Sequence, residues 1–463
     1  LPEYARGGEE RAFSGNPKRN VLFSEIVQTR LKPDEKTLRR SRDMKTHQAV
    51  TEKSRELLSS ITLRRIQGAV NRALANPRFR SHLNISSGNE IDSLEDFQKL
   101  PFLTKSFLRR DDPFELCCVP QEEVVRIHST SGTTGDPVIV PYSAEDVATF
   151  TRIMARSLRM AGVTPGNRVL VTPGFGLWTA GVGFQAGVEA IGACAVPTGP
   201  IPLEAQFRII RRMKPDVVIG TASFALLLGE ALRKEKPFLE LQGAVLGAEQ
   251  WGEQRRRIIE NHLGAPTYDI YGMTETYGPG IAIECPRQEG LHYWNDIFYF
   301  EILDMETGNP VKPGELGEVT ITTLCKEALP LIRYRTGDLA RLLPEPCPCG
   351  SPFPRISRIA GRVDDMISFR GVNVFPGAVE KVLAAVPGMG SEFRILLETR
   401  EGRDYMTLQA ECAPGAGGNS LEEDLRRQMK TFLSVSPRID LVPHGSLERS
   451  MKKTPRVFDR RIM

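Results

Sequence analysis

A regular alternation of short apolar runs with helical segments restricts this chain more than any other feature of its sequence. Arg168–Val171 (RVLV), Ala193–Val196 (ACAV), Asp216–Ile219 (DVVI) and Ala244–Leu246 (AVL) are too short to bury a helical face, and each carries valine or isoleucine suited to a pleated surface. Helical patterns, including Glu204–Met213 and Glu253–His262, are interleaved with them. Strands joined through helices run parallel, and continuous apolar runs suit strands covered on both faces. The alternation predicts an α/β fold with a largely parallel sheet.

After about residue 290 the pattern changes to strand and turn. Glu301–Leu303, Gly317–Thr323 and Leu339–Leu342 are punctuated by Gly308, Pro313 and Gly314, as in an antiparallel β subdomain. A last segment begins near Asp364, with Pro376, a helix at Val379–Ala385, strands at Arg394–Glu398 and Tyr405–Ala410, and an amphipathic helix around Leu421–Leu433. The chain's 463 residues exceed one ordinary domain. The expected division is a large region over 1–363 and a small α+β domain over 364–463. Residues 1 to about 50 are charged and irregular, and Leu63, Ile66, Val70 and Leu74 then mark one apolar helix face.

Charge and cysteine content narrow the function. Lys+Arg 61 against Asp+Glu 57 leaves only +4, without the dense basic footprint of a nucleic-acid binder. The run Arg255–Arg257 reads as a solvated helix face. Eight cysteines in a chain of this length make no disulfide scaffold and fit a reduced, cytoplasmic protein without a signal peptide. Val169 to Val188 contains no charge, but Pro173, Gly174, Gly176, Gly181, Gly183 and Gly187 suit a turn and close packing rather than a membrane span.

The strongest local signal is Ser129-Thr130-Ser131-Gly132-Thr133-Thr134-Gly135-Asp136-Pro137. Its glycines and hydroxyls supply backbone and side-chain donors able to wrap a polyphosphate. It is no Walker A loop, since no Gly-Lys-Ser/Thr follows, and taken alone it reads equally as a surface loop. Four more segments follow in order: Tyr271-Gly272-Met273-Thr274-Glu275, Tyr334-Arg335-Thr336-Gly337-Asp338, Gly361-Arg362-Val363-Asp364-Asp365 and Lys453-Thr454-Pro455-Arg456-Val457. Together the set resembles the adenylate-forming superfamily. Gly278-Pro279-Gly280, Glu284-Cys285, the run from Lys326 to Tyr334 (KEALPLIRY) and that from Arg370 to Pro376 (RGVNVFP) narrow the resemblance to the phenylacetate–CoA ligase family, over about residues 55 to 460.

The resemblance implies an AMP-forming ligase that joins a carboxylic acid to ATP as an acyl-adenylate and passes the acyl group to coenzyme A. By the same resemblance, Ser131, Gly132, Thr133, Thr134 and Gly135 cradle phosphate, and Glu275, beside Thr274, holds Mg²⁺. Adenine lies against Gly247, Ala248, Glu249 and the strand end Asp269–Tyr271. Asp338 accepts hydrogen bonds from the ribose hydroxyls, and Arg362 reaches the nucleotide as a planar cation. Lys453 stabilises charge building during adenylation, and Asp364 is the hinge of a rotating C-terminal lid. Two positions depart from the family pattern. Asp136 replaces a usual lysine, and Lys452 replaces the glycine before the catalytic lysine.

Phe175, Trp178, Thr179, Gly183, Phe184 and Gln185 match the family's acyl-pocket segment. Trp178 and Phe184 are larger than their usual counterparts, and Gln185 stands where histidine is common. Larger groups take volume from a ligand, so the expected substrate is a compact short branched or 2-hydroxy acid such as 2-hydroxyisobutyrate, with phenylacetate or another aryl acid as the alternative. If both aromatics pack the core instead, that pocket argument lapses. A carrier-protein thiol as acyl acceptor is a further enzyme reading, although no carrier domain is fused. A non-catalytic nucleotide-binding scaffold is opposed by the retained Glu275, Asp338 and Lys453.

Cys285, His292, Cys347 and Cys349 form a set of one histidine and three cysteines suited to structural Zn²⁺. The Cys-x-Cys spacing is tight for such a site, and four unlinked reduced residues near turns are the other reading. The expected partners are a small carboxylic acid, ATP and CoA, with neither nucleic acid nor membrane. A homodimer is left open.

Overall fold

The computed structural model describes residues 60–130, 136–234, 239–363, 365–370, 372–400, 403–447 and 456–461. Residues 62–73 are helical (α1) and bury Ile66, Val70 and Leu74 along the face that their spacing predicts, with Leu63 packed against the same core. Strands β1 (Val124–Ser129) and β2 (Ile139–Ser143) pair antiparallel with Ser129 opposite Ile139, so the connection between them carries Ser131–Gly135. Helix α2 (Ala144–Met160) opens on a capping box, in which Ser143 Oγ accepts the Asp146 N–H and the Asp146 carboxylate accepts the Ser143 N–H.

The α/β expectation holds. Strands β3 (Arg168–Val171), β4 (Cys194–Pro197), β5 (Val217–Gly220), β6 (Gly243–Gly247) and β7 (Thr267–Met273) lie parallel in the order β4-β3-β5-β6-β7. Their crossovers include α3 (Thr179–Ile191), α4 (Leu203–Met213), α5 (Ala222–Lys234) and α6 (Glu253–Leu263). The uncharged stretch thus divides into β3, a turn and most of α3. No described helix is long and apolar enough to cross a membrane. Its glycines serve packing: a Cβ at Gly183 would stand 2.2 Å from Phe150 Cζ, and one at Gly187 would stand 2.6 Å from Met154 Cβ, both on α2.

The antiparallel region joins the parallel strands edge to edge. It comprises β8 (Gly278–Glu284), β9 (Leu291–Tyr293), β10 (Phe298–Leu303), β11 (Leu316–Thr323), β12 (Tyr334–Leu343), β13 (Arg355–Ile356) and β14 (Gly361–Arg362). Two-residue β13 bridges β9 and β12, giving a sheet of twelve described strands.

The C-terminal α+β domain has its own core, including Phe369, Val379, Phe393, Leu408, Leu425 and Met429. It contains the hairpin β15 (Ile367–Phe369) and β16 (Val372–Val374), then α7 (Pro376–Ala385), β17 (Met389–Arg400), β18 (Arg403–Cys412), α8 (Asn419–Leu433), β19 (Arg438–Val442) and β20 (Val457–Asp459). The four-stranded sheet runs β19-β18-β17-β20.

The arginine run on α6 is not a solvated face. Arg257 is exposed, but Arg255 and Arg256 are each only 2% exposed. Arg256 donates from one nitrogen to both Glu284 oxygens at 2.8 Å, and Arg255 lies 3.5 Å from Glu392 on β17. Helix α6 is covered by the C-terminal domain, and buried carboxylates on β8 and β17 balance charges that the local sequence leaves unpaired.

Candidate active site

The residues expected to border the nucleotide lie at the ends of β6 and β7 and within β12. Gly247 closes β6 so near β7 that a Cβ there would lie 2.7 Å from the Ile270 carbonyl oxygen. Ala248 follows with φ 68°, a left-handed conformation that costs a non-glycine residue about 1 kcal/mol or more, and it is exposed. Glu249 is held by the N–H of Ser223 and, at 2.8 Å, by its hydroxyl. The Asp269 carboxylate is committed to the wall, accepting from Trp251 Nε1 at 3.3 Å and from Arg358 Nε at 2.8 Å.

Asp338 is paired across the β12–β14 ladder with Arg362, whose Nη1 lies 2.6 Å from Oδ1. The Tyr271 hydroxyl donates to Oδ2 at 2.7 Å. Burial pushes the Asp338 carboxyl above its ordinary value, and the Arg362 guanidinium opposes that shift. Glu275 occupies the turn after β7 beside half-buried Thr274. Lys105 Nζ stands 3.3 Å from Glu275 Oε1, and the Tyr334 hydroxyl donates to the same oxygen at 3.4 Å. Glu275, Tyr334, Tyr271, Asp338 and Arg362 therefore form two neighbouring carboxylate centres. Sequence reasoning missed Lys105 and the Tyr334 hydroxyl. Tyr334 opens a recognised motif, whereas Lys105 comes from a short helix (Lys105–Leu108) far away in the chain.

The six residues expected to line the acyl pocket differ in exposure and in their contacts. Thr179, the first residue of α3, is buried, and a Cβ on Gly278 would lie 2.5 Å from its own Cβ. Gly183 faces Phe150, and Phe175 is half-buried near Gly181. Phe184 is 3% exposed within the apolar cluster that includes Phe150 and Val188, whereas Trp178 is 52% exposed. Gln185 Nε2 donates to Glu189 Oε1 at 2.8 Å along α3. The Leu177 carbonyl ties this segment to β1 by accepting from Ser129 N–H at 2.9 Å and His128 Nδ1 at 3.1 Å. Ser131–Gly135, expected to cradle phosphate, Asp364, expected as the hinge, and Lys453 lie outside the described residues.

Cys285, His292, Cys347 and Cys349 come together from β8's end, β9 and the β12–β13 connection, with all four ligand atoms within 4.8 Å of one another. Cys285 and Cys347 sulfurs are 3.7 Å apart, and Cys349 Sγ lies 3.4 Å from His292 Nε2. Two thiolates on one tetrahedral zinc, each about 2.3 Å from it, stand roughly 3.8 Å apart. His292 Nδ1 donates to the Phe353 carbonyl at 2.8 Å, which leaves Nε2 for a metal.

A parallel sheet joined to antiparallel strands, with the Glu275 and Asp338 carboxylates near each other and a separate α+β domain after them, is the architecture expected of an adenylate-forming enzyme. Residues 48–325 match the family model for AMP-binding enzymes, and residues 371–461 match that for the AMP-binding enzyme C-terminal domain. Phenylacetate-coenzyme A ligase of Pseudomonas putida is 40% identical over 384 residues, covering 81% of this chain and 87% of that protein. The Escherichia coli K12 phenylacetate-coenzyme A ligase is 37% identical, covering 87% and 95%. The chain belongs to the phenylacetate–CoA ligase family of adenylate-forming enzymes, and is an AMP-forming acid–CoA ligase working through an acyl-adenylate.

Among solved structures, 2-hydroxyisobutyryl-CoA ligase in its postadenylation state with 2-HIB-AMP superposes with a TM-score of 0.78 at 28% identity, covering 87% of this chain and 90% of that one. The same ligase scores 0.66 in an open conformation and 0.63 in its thioesterification state. The chain therefore superposes better on that ligase's postadenylation state than on its other two.

Proposed function

We propose that the acid is an arylacetic acid of the phenylacetate class. The observation carrying this reading is the engagement of Gln185 with Glu189, together with burial of Phe184 in the apolar core. Phe184, expected to take volume from the ligand, packs in the core and Gln185 is engaged along α3, and the phenylacetate ligases at 40% and 37% identity support the same acid. A compact acid such as 2-hydroxyisobutyrate is the second reading, favoured by the likeness to 2-hydroxyisobutyryl-CoA ligase.

In the first half-reaction a carboxylate oxygen attacks the α-phosphorus of ATP and pyrophosphate leaves. The CoA sulfur then attacks the acyl carbon, AMP departs and the thiol proton is released. Ser131–Gly135 hold the phosphates, and Gly247–Glu249 with Tyr271 border adenine. Asp338, fixed by Tyr271 and Arg362, accepts the ribose hydroxyls through its remaining lone pairs. By its place in the motif Glu275 would hold Mg²⁺, its buried carboxylate facing Lys105 at 3.3 Å here. That ion would neutralise phosphate charge. Lys453 acts from the C-terminal domain, with residues 364–463 as the moving lid and Asp364 as its hinge. The Cys/His cluster would hold a structural Zn²⁺ outside the chemistry.

The deciding measurement is kcat/KM for phenylacetate against 2-hydroxyisobutyrate with saturating ATP and CoA. Phenylacetate is expected to lead by about tenfold or more, the discrimination that roughly 1.4 kcal/mol of pocket fit provides. A lead for 2-hydroxyisobutyrate would transfer the assignment to the compact acid.

A further inference from the structure

Helix α6 starts at Gly252 without a side-chain cap from its own N-cap residue. The C-terminal domain supplies a carboxylate instead: the Gly252 N–H donates to Glu380 Oε1 at 2.7 Å, placing Glu380 at the positive end of α6. In the same first turn, Gln254 Nε2 donates to the Met389 carbonyl at 3.0 Å. Arg255 donates to Ser223 Oγ at 3.0 Å and approaches Glu392 Oε1 to 3.5 Å. The other oxygen of Glu392 receives Arg456 Nη1 at 2.8 Å, and that nitrogen also donates to the Phe393 carbonyl at 3.0 Å. The Arg456 guanidinium rests 4.8 Å from the Phe393 ring centroid.

These contacts form one path. Glu249, at the strand end expected to border adenine, holds Ser223. Ser223 receives Arg255, Arg255 faces Glu392, and Glu392 grips Arg456, three positions after Lys453 in the sequence. The side chains of Arg255 and Glu392 are each 2% exposed. A buried carboxylate between two guanidiniums strongly resists losing either partner, so the contact favours one domain position over others.

We propose that Glu392 and Glu380 are positioning residues that latch the C-terminal domain onto the first turn of α6 for adenylation, Glu392 by fixing Arg456 close in sequence to Lys453. The latch rests on the lid reading given above and adds to it which groups hold the lid. It forms in the arrangement resembling the postadenylation state and must part before the domain rotates for thioester formation.

The test separates the half-reactions in the full chain. Acid-dependent pyrophosphate release reads the first, and acyl-CoA formation from supplied acyl-adenylate and CoA reads the second. Glu392→Gln and Glu380→Gln should lower adenylation by about tenfold and about threefold respectively, with the thioester step at or above the parent rate. Arg255→Lys should retain more adenylation than Arg255→Met. Lys453→Ala serves as reference, expected to lose roughly a hundredfold in adenylation alone. Equal loss in both half-reactions, or no loss in either glutamate variant while Lys453→Ala behaves as expected, overturns the latch and leaves the lid reading standing. If Lys453→Ala keeps adenylation, the lid reading itself fails. Should Glu392→Gln not fold, the same ratio measured in Glu380→Gln decides.

Discussion

Lys326 shows how a single residue can carry a property that its neighbours in sequence conceal. It is fully buried, with its Nζ 3.7 Å from the Tyr142 ring centroid and 4.3 Å from that of Tyr277. Asp146 is the carboxylate nearby, but its oxygens already receive the N–H groups of Ser143, Glu327 and Ala328 and the Tyr277 hydroxyl. Burial pulls the Lys326 ammonium from 10.5 to about 8, with Asp146 partly opposing. An amine whose folded value is depressed binds fewer protons folded than unfolded between those limits, so stability rises as pH climbs from about 8 towards 10.5. Both tyrosines are pushed well above their ordinary range by burial and stay neutral there. Lys326→Met should lose this pH-dependent gain. At pH 7 it should equal or exceed the parent by about 1–2 kcal/mol, because relief of burial outweighs the lost cation–π contact. Urea midpoints of both proteins from pH 7 to 10 check this, and parallel profiles would refute it. The sequence places Lys326 in a recognisable run but hides its cage, since Tyr142 and Tyr277 come from distant segments. Asp338 and Arg362 were legible because each sits in a contiguous motif, whereas the pairing of Arg255 with Glu392 depends on another domain.

At the scale of elements, the Cys/His cluster ties together pieces too small to hold themselves. Strand β13 has two residues and β9 has three, and His292 lies opposite Arg355 in their ladder. A metal there would close the long connection between Cys285 and Cys347 and add its binding free energy to folding. Dialysed protein is expected to hold about one zinc per chain. Cys347→Ser/Cys349→Ser should lose it and unfold several degrees lower, on the order of 1–3 kcal/mol less stable. Metal below about half an equivalent, or full retention in the double variant, would remove the site. The four residues of the cluster could be singled out in the sequence, but the strands they join could not, because two or three residues carry no periodicity. Four of the five parallel strands, β3 to β6, lay within a residue of their expected positions, because short apolar runs rich in valine and isoleucine mark them.

For the molecule as a whole, five short motifs in fixed order were enough to indicate an adenylate-forming ligase, because each belongs to a different part of one reaction. The joining of the antiparallel strands to the parallel sheet was not legible, as edge pairing is decided by side chains distant in sequence. Nor was the contact of the first turn of α6 with the C-terminal domain, where Arg255 meets Glu392, or the pairing of Arg256 with Glu284 on β8, and both arginines are buried. The acid was read from the size of Trp178 and Phe184 and from Gln185, and in the structure Phe184 packs in the core while Gln185 bonds Glu189. The central claim is acid activation through an acyl-adenylate, and mass detection of products in reactions with and without CoA tests it most directly. With ATP and phenylacetate alone the account predicts pyrophosphate and enzyme-bound acyl-AMP, converted to acyl-CoA and AMP when CoA is added. Formation of ADP and inorganic phosphate, or pyrophosphate release that no carboxylic acid stimulates, would contradict it.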